Sequence, residues 1–329
     1  MVLYKGDVFV KKETNWGTGV DPTAPTTALA EVLGLDSAYD LNVENQITAV
    51  NPASMAYPSE ISYHTAKPSA KIDFVYNNAN PFAVMMGTVT ATNPVEGKAP
   101  YTWTISQAST PIPFTTSFLM KGTNDIISQM VGCYAKSLSF KMGLNEPVSG
   151  TLDIVGKDIG VAGTEFTAPT TVTLDDAKAW KPHEFTYAIG AVTAIDYITG
   201  IDFTISRTVD VGHGLASRTP STAYAGKFEA INGTINCYIP DEATANDIEK
   251  LVLGGTAIGE TLTPSDIVID KTYADAGADT AKITLSNAIF SDMSASFPLD
   301  TKTNFKFGFS ATHATVLWES PVTVAAGGW

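Results

Sequence analysis

One stretch of this chain occurs twice, and that repetition limits what the whole can fold into. From Lys71 to Gly87, Ile72, Phe74 and Tyr76 alternate with other residues, Asn80-Pro81 opens a short helix, and Gly87 closes it. From Thr234 to Gly254, Ile235, Cys237 and Ile239 alternate, Pro240 breaks the strand, and a longer helix runs from about Thr244 to Leu253 before two glycines. The order is the same: strand, break, helix, glycine stop. A unit that returns after about half a chain implies two copies of one domain, not a solenoid of small repeats. Further anchors support the overlay. Asp40-Leu41-Asn42-Val43 matches Asp202-Phe203-Thr204-Ile205 at an offset of 162, counted from Leu41 to Phe203. Ile72 matches Ile235 at 163, and Ser139-Phe140 matches Ser296-Phe297 at 157.

A chain of 329 residues can hold two such domains, each with its own core. Only 16% of the residues are charged, so the surfaces are made largely of Thr, Ser, Asn, Gly and Ala. That composition suits β proteins and surfaces covered in an assembly. The net charge is −14, and the only arginines are Arg207 and Arg218. A sequence-reading nucleic-acid binder needs a basic face and arginine forks for base edges. The chain supplies neither, which excludes tight binding but leaves passive contact with DNA open.

Period-two alternation marks strands at Tyr39–Val43, Glu60–Tyr63, Lys71–Tyr76, Tyr101–Ser106, Thr115–Met120, Tyr134–Met142 and Gly150–Val155. It marks more at Val192–Ile195, Ile201–Ile205, Lys227–Ile231, Thr234–Ile239, Asp266–Asp270, Lys282–Leu285, Ser291–Phe297, Asn304–Phe309 and Thr315–Trp318. Asn124–Gly132 is ambiguous, because Ile126, Ile127, Met130 and Val131 have helical spacing. The first helix has Asn80 as N-cap, Pro81 at its first position and Gly87 just past its end. Thr244 to Asp247 reads as a capping box for the second, with Ile248, Leu251 and Val252 as its apolar stripe. The chain divides into an irregular arm at 1–36, held by Trp16 or ordered on assembly, a first domain at 37–160, a linker at 161–190 and a second domain at 191–329. Many short strands with one short helix per copy predict a mainly β fold: two antiparallel β-sandwiches or flattened barrels. Their Thr- and Ser-rich strands carry little of the Lys or Pro that guards an edge, which points to strand pairing between subunits.

The chemistry-bearing residues form no recognisable site. His64, His183, His213 and His313 stand apart from one another and from the cysteines. Cys133 and Cys237 occupy non-equivalent places in apolar strands and read as buried free thiols. Asp175-Asp176 and Asp241-Glu242 could attract a cation but read better as solvated loop carboxylates or helix starts. Phosphate-binding loops, nucleophile elbows and metal-binding spacings are all missing from the sequence, so no catalytic, cofactor-binding or metal-ligating residue is assigned. Asn232-Gly233-Thr234 fits a glycosylation acceptor by chance. The first residues lack a signal-peptide core, and no stretch has the ~20 apolar residues of a membrane-spanning helix.

Several passages resemble phage and archaeal-virus tail tube proteins. They are Trp16-Gly17-Thr18, Lys181-Pro182-His183-Glu184-Phe185 leading into Val192–Arg207, and Leu215–Pro220 followed by Gly226–Gly233 with its strand and helix. Gly132–Phe140 followed by Gly150–Gly156 is similar to the family's hairpin in the other copy. The resemblance covers most of the chain as a pattern of strands and turns. It implies two tandem tube-like domains and a structural virion protein, made in the host cytoplasm and built into the viral tail. Such subunits form rings that stack into a hollow tube for the genome. Two domains per subunit imply three chains per ring with pseudo-six-fold symmetry. The implied partners are further copies of the chain, other tail proteins (tape measure, terminator, baseplate or tip) and DNA that passes without specific binding.

Other β proteins share this composition. A secreted surface or S-layer-like module would carry a secretion signal, and a capsid decoration or baseplate component would not close into rings. A carbohydrate-acting enzyme could use Trp103, Trp180 and Trp318 as stacking platforms, although packing is the role such residues usually have.

Overall fold

The computed structural model describes residues 6–18, 31–32, 35–50, 60–92, 101–120, 126–161, 178–190, 197–215, 217–238, 246, 249–250, 252, 262–272, 279–296 and 304–320. In chain order the strands are β1 Gly6–Lys12, β2 Glu31–Val32, β3 Leu35–Val50, β4 Glu60–Val75, β5 Gly87–Thr92, β6 Tyr101–Gln107, β7 Phe114–Met120, β8 Ile126–Gly143 and β9 Ser149–Val155. They continue with β10 Asp158–Val161, β11 Phe185–Ile189, β12 Ile198–Gly212, β13 Thr222–Phe228, β14 Ile231–Tyr238, β15 Ser265–Lys271, β16 Thr280–Ser296, β17 Asn304–Ala311 and β18 His313–Ser320. The α-helix described in full, α1, spans Asn80–Met86. Asn246, Glu249, Lys250 and Val252 of the second expected helix are helical, while its capping box and apolar stripe otherwise lie outside the described residues, as does the strand expected at Val192–Ile195. The fold is mainly β, as the alternation predicts.

Eight strands form one long antiparallel sheet in the order β3-β4-β9-β8-β12-β14-β17-β16. Its residues alternate as a sheet with one wet face must. Ile72, Phe74, Leu152, Leu138, Phe140, Phe203, Ile205, Ile235, Phe307 and Phe309 are buried, while Asp73, Ser139 and Thr204 between them are at least partly exposed on the other face. Three of these strands are long enough to leave the sheet. The first part of β8 joins a side sheet, β2-β1-β7-β8-β10. The first part of β16 joins another, β11-β15-β16-β18-β6-β5. The end of β12 pairs with β13. The side sheets and α1 cover the apolar face, and one continuous core contains residues of all of them.

Within the long sheet the order β3-β4-β9-β8 is followed by β12-β14-β17-β16, and the registers keep step. Ile72 stands opposite Tyr39 and Leu152, and Ile235 stands opposite Ile201 and Phe307. Leu152 in turn faces Leu138, and Phe307 faces Met293. The offsets are therefore 162 from Tyr39 to Ile201, 163 from Ile72 to Ile235 and 155 from Leu138 to Met293. The offset of 157 expected from Ser139-Phe140 is corrected to 155, so Ser139 corresponds to Ser294. Sliding a strand by two residues returns every side chain to the same face, so a match of residue types cannot detect it. Both strands carry a β-bulge at the corresponding position, an extra Lys136 in β8 and an extra Ser291 in β16.

Three local details differ from the expectations. Asn80 is the first helical residue and not the cap; its N–H is taken at 2.8 Å by the side chain of Asn78. Glu60–Tyr63 and Lys71–Tyr76 up to Val75 belong to one strand, as do Lys282–Leu285 and Ser291–Phe297 up to Ser296. Asn124–Gly132 is strand from Ile126 onward. An irregularity between Met130 and Cys133, with Gly132 at φ +62°, puts both residues into the core three positions apart.

Candidate functional site

The wet face of the long sheet and its two outer strands form an extended polar surface among the described residues. Six carboxylates stand on this face: Asp40 and Glu44 on β3, Asp73 on β4, Asp153 on β9, Asp202 on β12 and Asp292 on β16. Four lysines share it, Lys67, Lys71, Lys141 and Lys306, with Lys67 directly opposite Glu44. Asp40 and Asp153 flank Lys71 directly, and Asp202 is opposite Lys141. Hydroxyls hold several of the acids in place. Thr151 Oγ1 donates to Asp73 at 2.6 Å, Ser137 Oγ to Asp153 at 2.7 Å, and Thr234 Oγ1 to Asp202 at 2.5 Å. The face is thus polar, acidic on balance and tied down by hydroxyls.

Both ends of the sheet are edges. Among the described residues β3 pairs only with β4, and the second part of β16 pairs only with β17. Each edge offers unpaired backbone N–H and C=O groups to another strand. In the middle of the sheet the corresponding strands are joined: β12 lies against β8 from Gly200 opposite Gly143 to Ser206 opposite Ser137. There Phe203 stacks on Phe140 at 5.0 Å, and Tyr76 continues the aromatic cluster at 5.3 Å from Phe140. Beyond Ser206, β12 and β13 lean over β9. Val209 and Val211 cover Val155 and Tyr134, and the connection between the two strands reaches β4. Arg218 C=O accepts from Ala66 N–H at 2.9 Å, Arg218 Nη2 donates to Asn45 at 3.1 Å, and His213 Nε2 lies 3.1 Å from Ala66 C=O.

The residues weighed for chemistry are scattered. His313 Nδ1 is 2.6 Å from the Gln107 side chain, His183 sits in a one-turn 3-10 segment at Pro182–Glu184, and His64 lies on β4. Among the described residues no three His, Cys, Asp or Glu side chains are grouped to hold a metal. Asp175-Asp176 and Asp241-Glu242 lie outside the described residues. Both cysteines are buried and free. Burial pushes the Cys237 thiol up to about 12. Burial also raises Cys133, to which the Glu13 carboxylate adds and which a Thr116 hydrogen bond opposes. Trp103, Trp180 and Trp318 are all in the core, Trp103 against Trp318 at 4.9 Å, so they offer no sugar platform. Asn232 accepts from Ser310 Oγ at 2.6 Å on the wet face. Arg207 is buried, its guanidinium 4.1 Å from the Phe228 ring centre, and burial lowers its pKa. No helix of the described residues is long and apolar enough to cross a membrane.

Two buried charge clusters were not visible in the sequence. The Glu13 carboxylate accepts from Thr115 Oγ1 at 2.7 Å, Gly132 N–H at 2.8 Å and Gly17 N–H at 2.6 Å. Lys271 is paired with Asp279 at 2.9 Å, and Asp279 accepts from the indoles of Trp318 at 3.1 Å and Trp180 at 3.3 Å. The available signal was weak: a lone acid beside Trp16-Gly17, and a lysine ending an otherwise apolar strand.

The chain matches the family described as phage tail tube protein over residues 5–297. No curated protein matches it. Among solved structures it is similar to the anti-feeding prophage cap, the AFP tube terminating cap determined by cryo-EM. The two chains share 16% identity at a TM-score of 0.32, over 45% of this chain and 98% of that chain.

Proposed function

Because this chain belongs to the phage tail tube protein family, we propose that three copies close into a pseudo-six-fold ring, and that such rings stack into the hollow tube that conducts the genome. Each chain contributes two tube domains, 37–160 and 191–329, joined by the segment 161–190 and preceded by an arm at 1–36. The observation that carries this reading is the repeated strand order within one sheet, with equal registers and a bulge at the same place in each half. Three eight-stranded segments joined at their edges make a closed sheet without exposed edges. Its wet face lines the lumen. Six carboxylates against four lysines leave that face acidic on balance and repel a polyanion, so DNA slides without being held. Other tail proteins, including the tape measure, the terminator and the baseplate or tip, meet the ends of the stack, and the protein resides in the virion tail.

The test is electron microscopy of the purified protein at rising concentration, with averaged end views and mass measurement. Hollow rings of three chains with pseudo-six-fold outline are expected. A six-chain ring would overturn the three-chain arrangement, and a monomer at every concentration would overturn a self-closing ring.

A further inference from the structure

The internal junction between β8 and β12 is a template for a contact the single chain leaves unmade. By the offsets above, β16 corresponds to β8 and β3 to β12. The chain therefore already contains, joined in its middle, the same two kinds of strand that it exposes at its ends. We propose that β16 of one copy pairs antiparallel with β3 of the next, in the register of the internal junction. Ser206 opposite Ser137 and Asp202 opposite Lys141 translate to Glu44 opposite Asp292 and Asp40 opposite Ser296, with Asn42 opposite Ser294 between them. Leu41 then stands opposite Ala295, and Val43 lies beside Met293 on the core side. This pairing rests on the tube reading and specifies the residues that would join its subunits.

Three further observations favour it. The apolar residues at the edges are the ones whose counterparts the internal junction buries: Val43 is 39% exposed where Ile205 is 0% exposed. Met293 is half-buried where Leu138 is buried. Ile289, near the start of the free part of β16, is also 39% exposed, whereas its counterpart Tyr134 packs with Val155, Val209 and Val211 under β12 and β13. The β12 and β13 extension that covers Tyr134 corresponds to the outer part of β3 and β4, so a neighbouring copy carries the cover that Ile289 lacks. Finally, internal pairing stops at Ser137, beside the Lys136 bulge, and β16 has its bulge at Ser291, beside Asp292. The strands turn out of the sheet at the same point in both places.

The register can be read by cysteine pairing, since residues directly opposite in an antiparallel pair lie within disulfide reach and those displaced by two do not. Asn42 and Ser294 are exposed on the wet face, and the native Cys133 and Cys237 are buried. Asn42→Cys and Ser294→Cys proteins are mixed, assembled, and oxidised with glutathione disulfide. A disulfide-linked pair on a non-reducing gel is expected, and the Asn42→Cys, Ser294→Cys double variant should give a closed covalent ring. Asn42→Cys mixed with Asp292→Cys should give no linked pair. Rings that form but crosslink only at Asp292, or not at all, overturn the register and leave the tube reading standing. A wild-type protein that never forms rings overturns both. If the variants do not assemble, an image reconstruction of the wild-type ring at side-chain detail reads the same register, and any other strand pair at the junction refutes it.

Discussion

At the scale of single residues, the two buried charge clusters carry the clearest consequences. Glu13 is 1% exposed and accepts from the half-buried Gly17 N–H and from two buried donors, the Gly132 N–H and the Thr115 hydroxyl. Glu13→Ala leaves those donors unsatisfied and should lower the stability of the unassembled subunit by about 3 kcal/mol in urea unfolding. Glu13→Gln keeps the volume and part of the accepting capacity, so its loss should be smaller. Lys271 is 3% exposed and neutralises Asp279, whose carboxylate also takes two indole N–H groups. Lys271→Met strands that carboxylate, and a loss of about 3 kcal/mol is expected. The fluorescence of the Trp180 and Trp318 indoles should change in the same variant. Neither cluster could be read from the sequence. Glu13 meets Thr115 and Gly132, which are more than a hundred positions away, and nothing local distinguishes a buried acid from a solvated one.

At the scale of elements, alternation was legible wherever one face of a strand is wet, as in Leu152-Asp153-Ile154 and Ile201-Asp202-Phe203. It failed at irregularities. The spacing of Ile126, Ile127, Met130 and Val131 reads as helical although the segment is strand up to an irregularity before Cys133, and Asn80 reads as the cap of α1 although it is Asn78 that accepts from the Asn80 N–H. A bulge also has a function that can be tested. The extra Ser291 sets the phase of β16 so that Met293 faces the core while Asp292 and Ser294 are wet. Deleting Ser291 moves every later residue of the strand to the other face. The expected result is a subunit that loses its cooperative unfolding transition or stays folded but forms no rings. Wild-type assembly by the deletion variant would show that the bulge does not set the phase.

At the scale of the whole molecule, the repeat in the sequence and the repeat in strand order describe the same periodicity seen in two ways. The first was legible because Asp40-Leu41 and Asp202-Phe203 keep their identity or polarity at an offset of 162. The order of the strands was not, because hydrogen-bonded neighbours such as β8 and β12 are far apart in the chain and no local pattern encodes which strands meet. Electrostatics act at this scale too. The chain carries a net charge of −14, and the proposed junction sets Glu44 against Asp292 on the wet face, two like charges where the internal junction has Ser206 and Ser137. Like charges directly opposite in a sheet destabilise the pair by a few tenths to about 1 kcal/mol. Salt shortens their reach, since the screening length falls from about 30 Å at 0.01 M to about 8 Å at 0.15 M. Ring formation should therefore strengthen as salt rises over that range, seen as a lower protein concentration at half-assembly by light scattering. Glu44→Gln removes one partner of the repulsive pair without lengthening or shortening the side chain. It should lower that concentration several-fold at 0.01 M and much less at 0.15 M, whereas an equally exposed acid away from the edges, Asp73→Asn, should affect both salt conditions alike. A Glu44→Gln protein that assembles with the wild-type salt dependence would place Glu44 away from any carboxylate of the neighbouring copy.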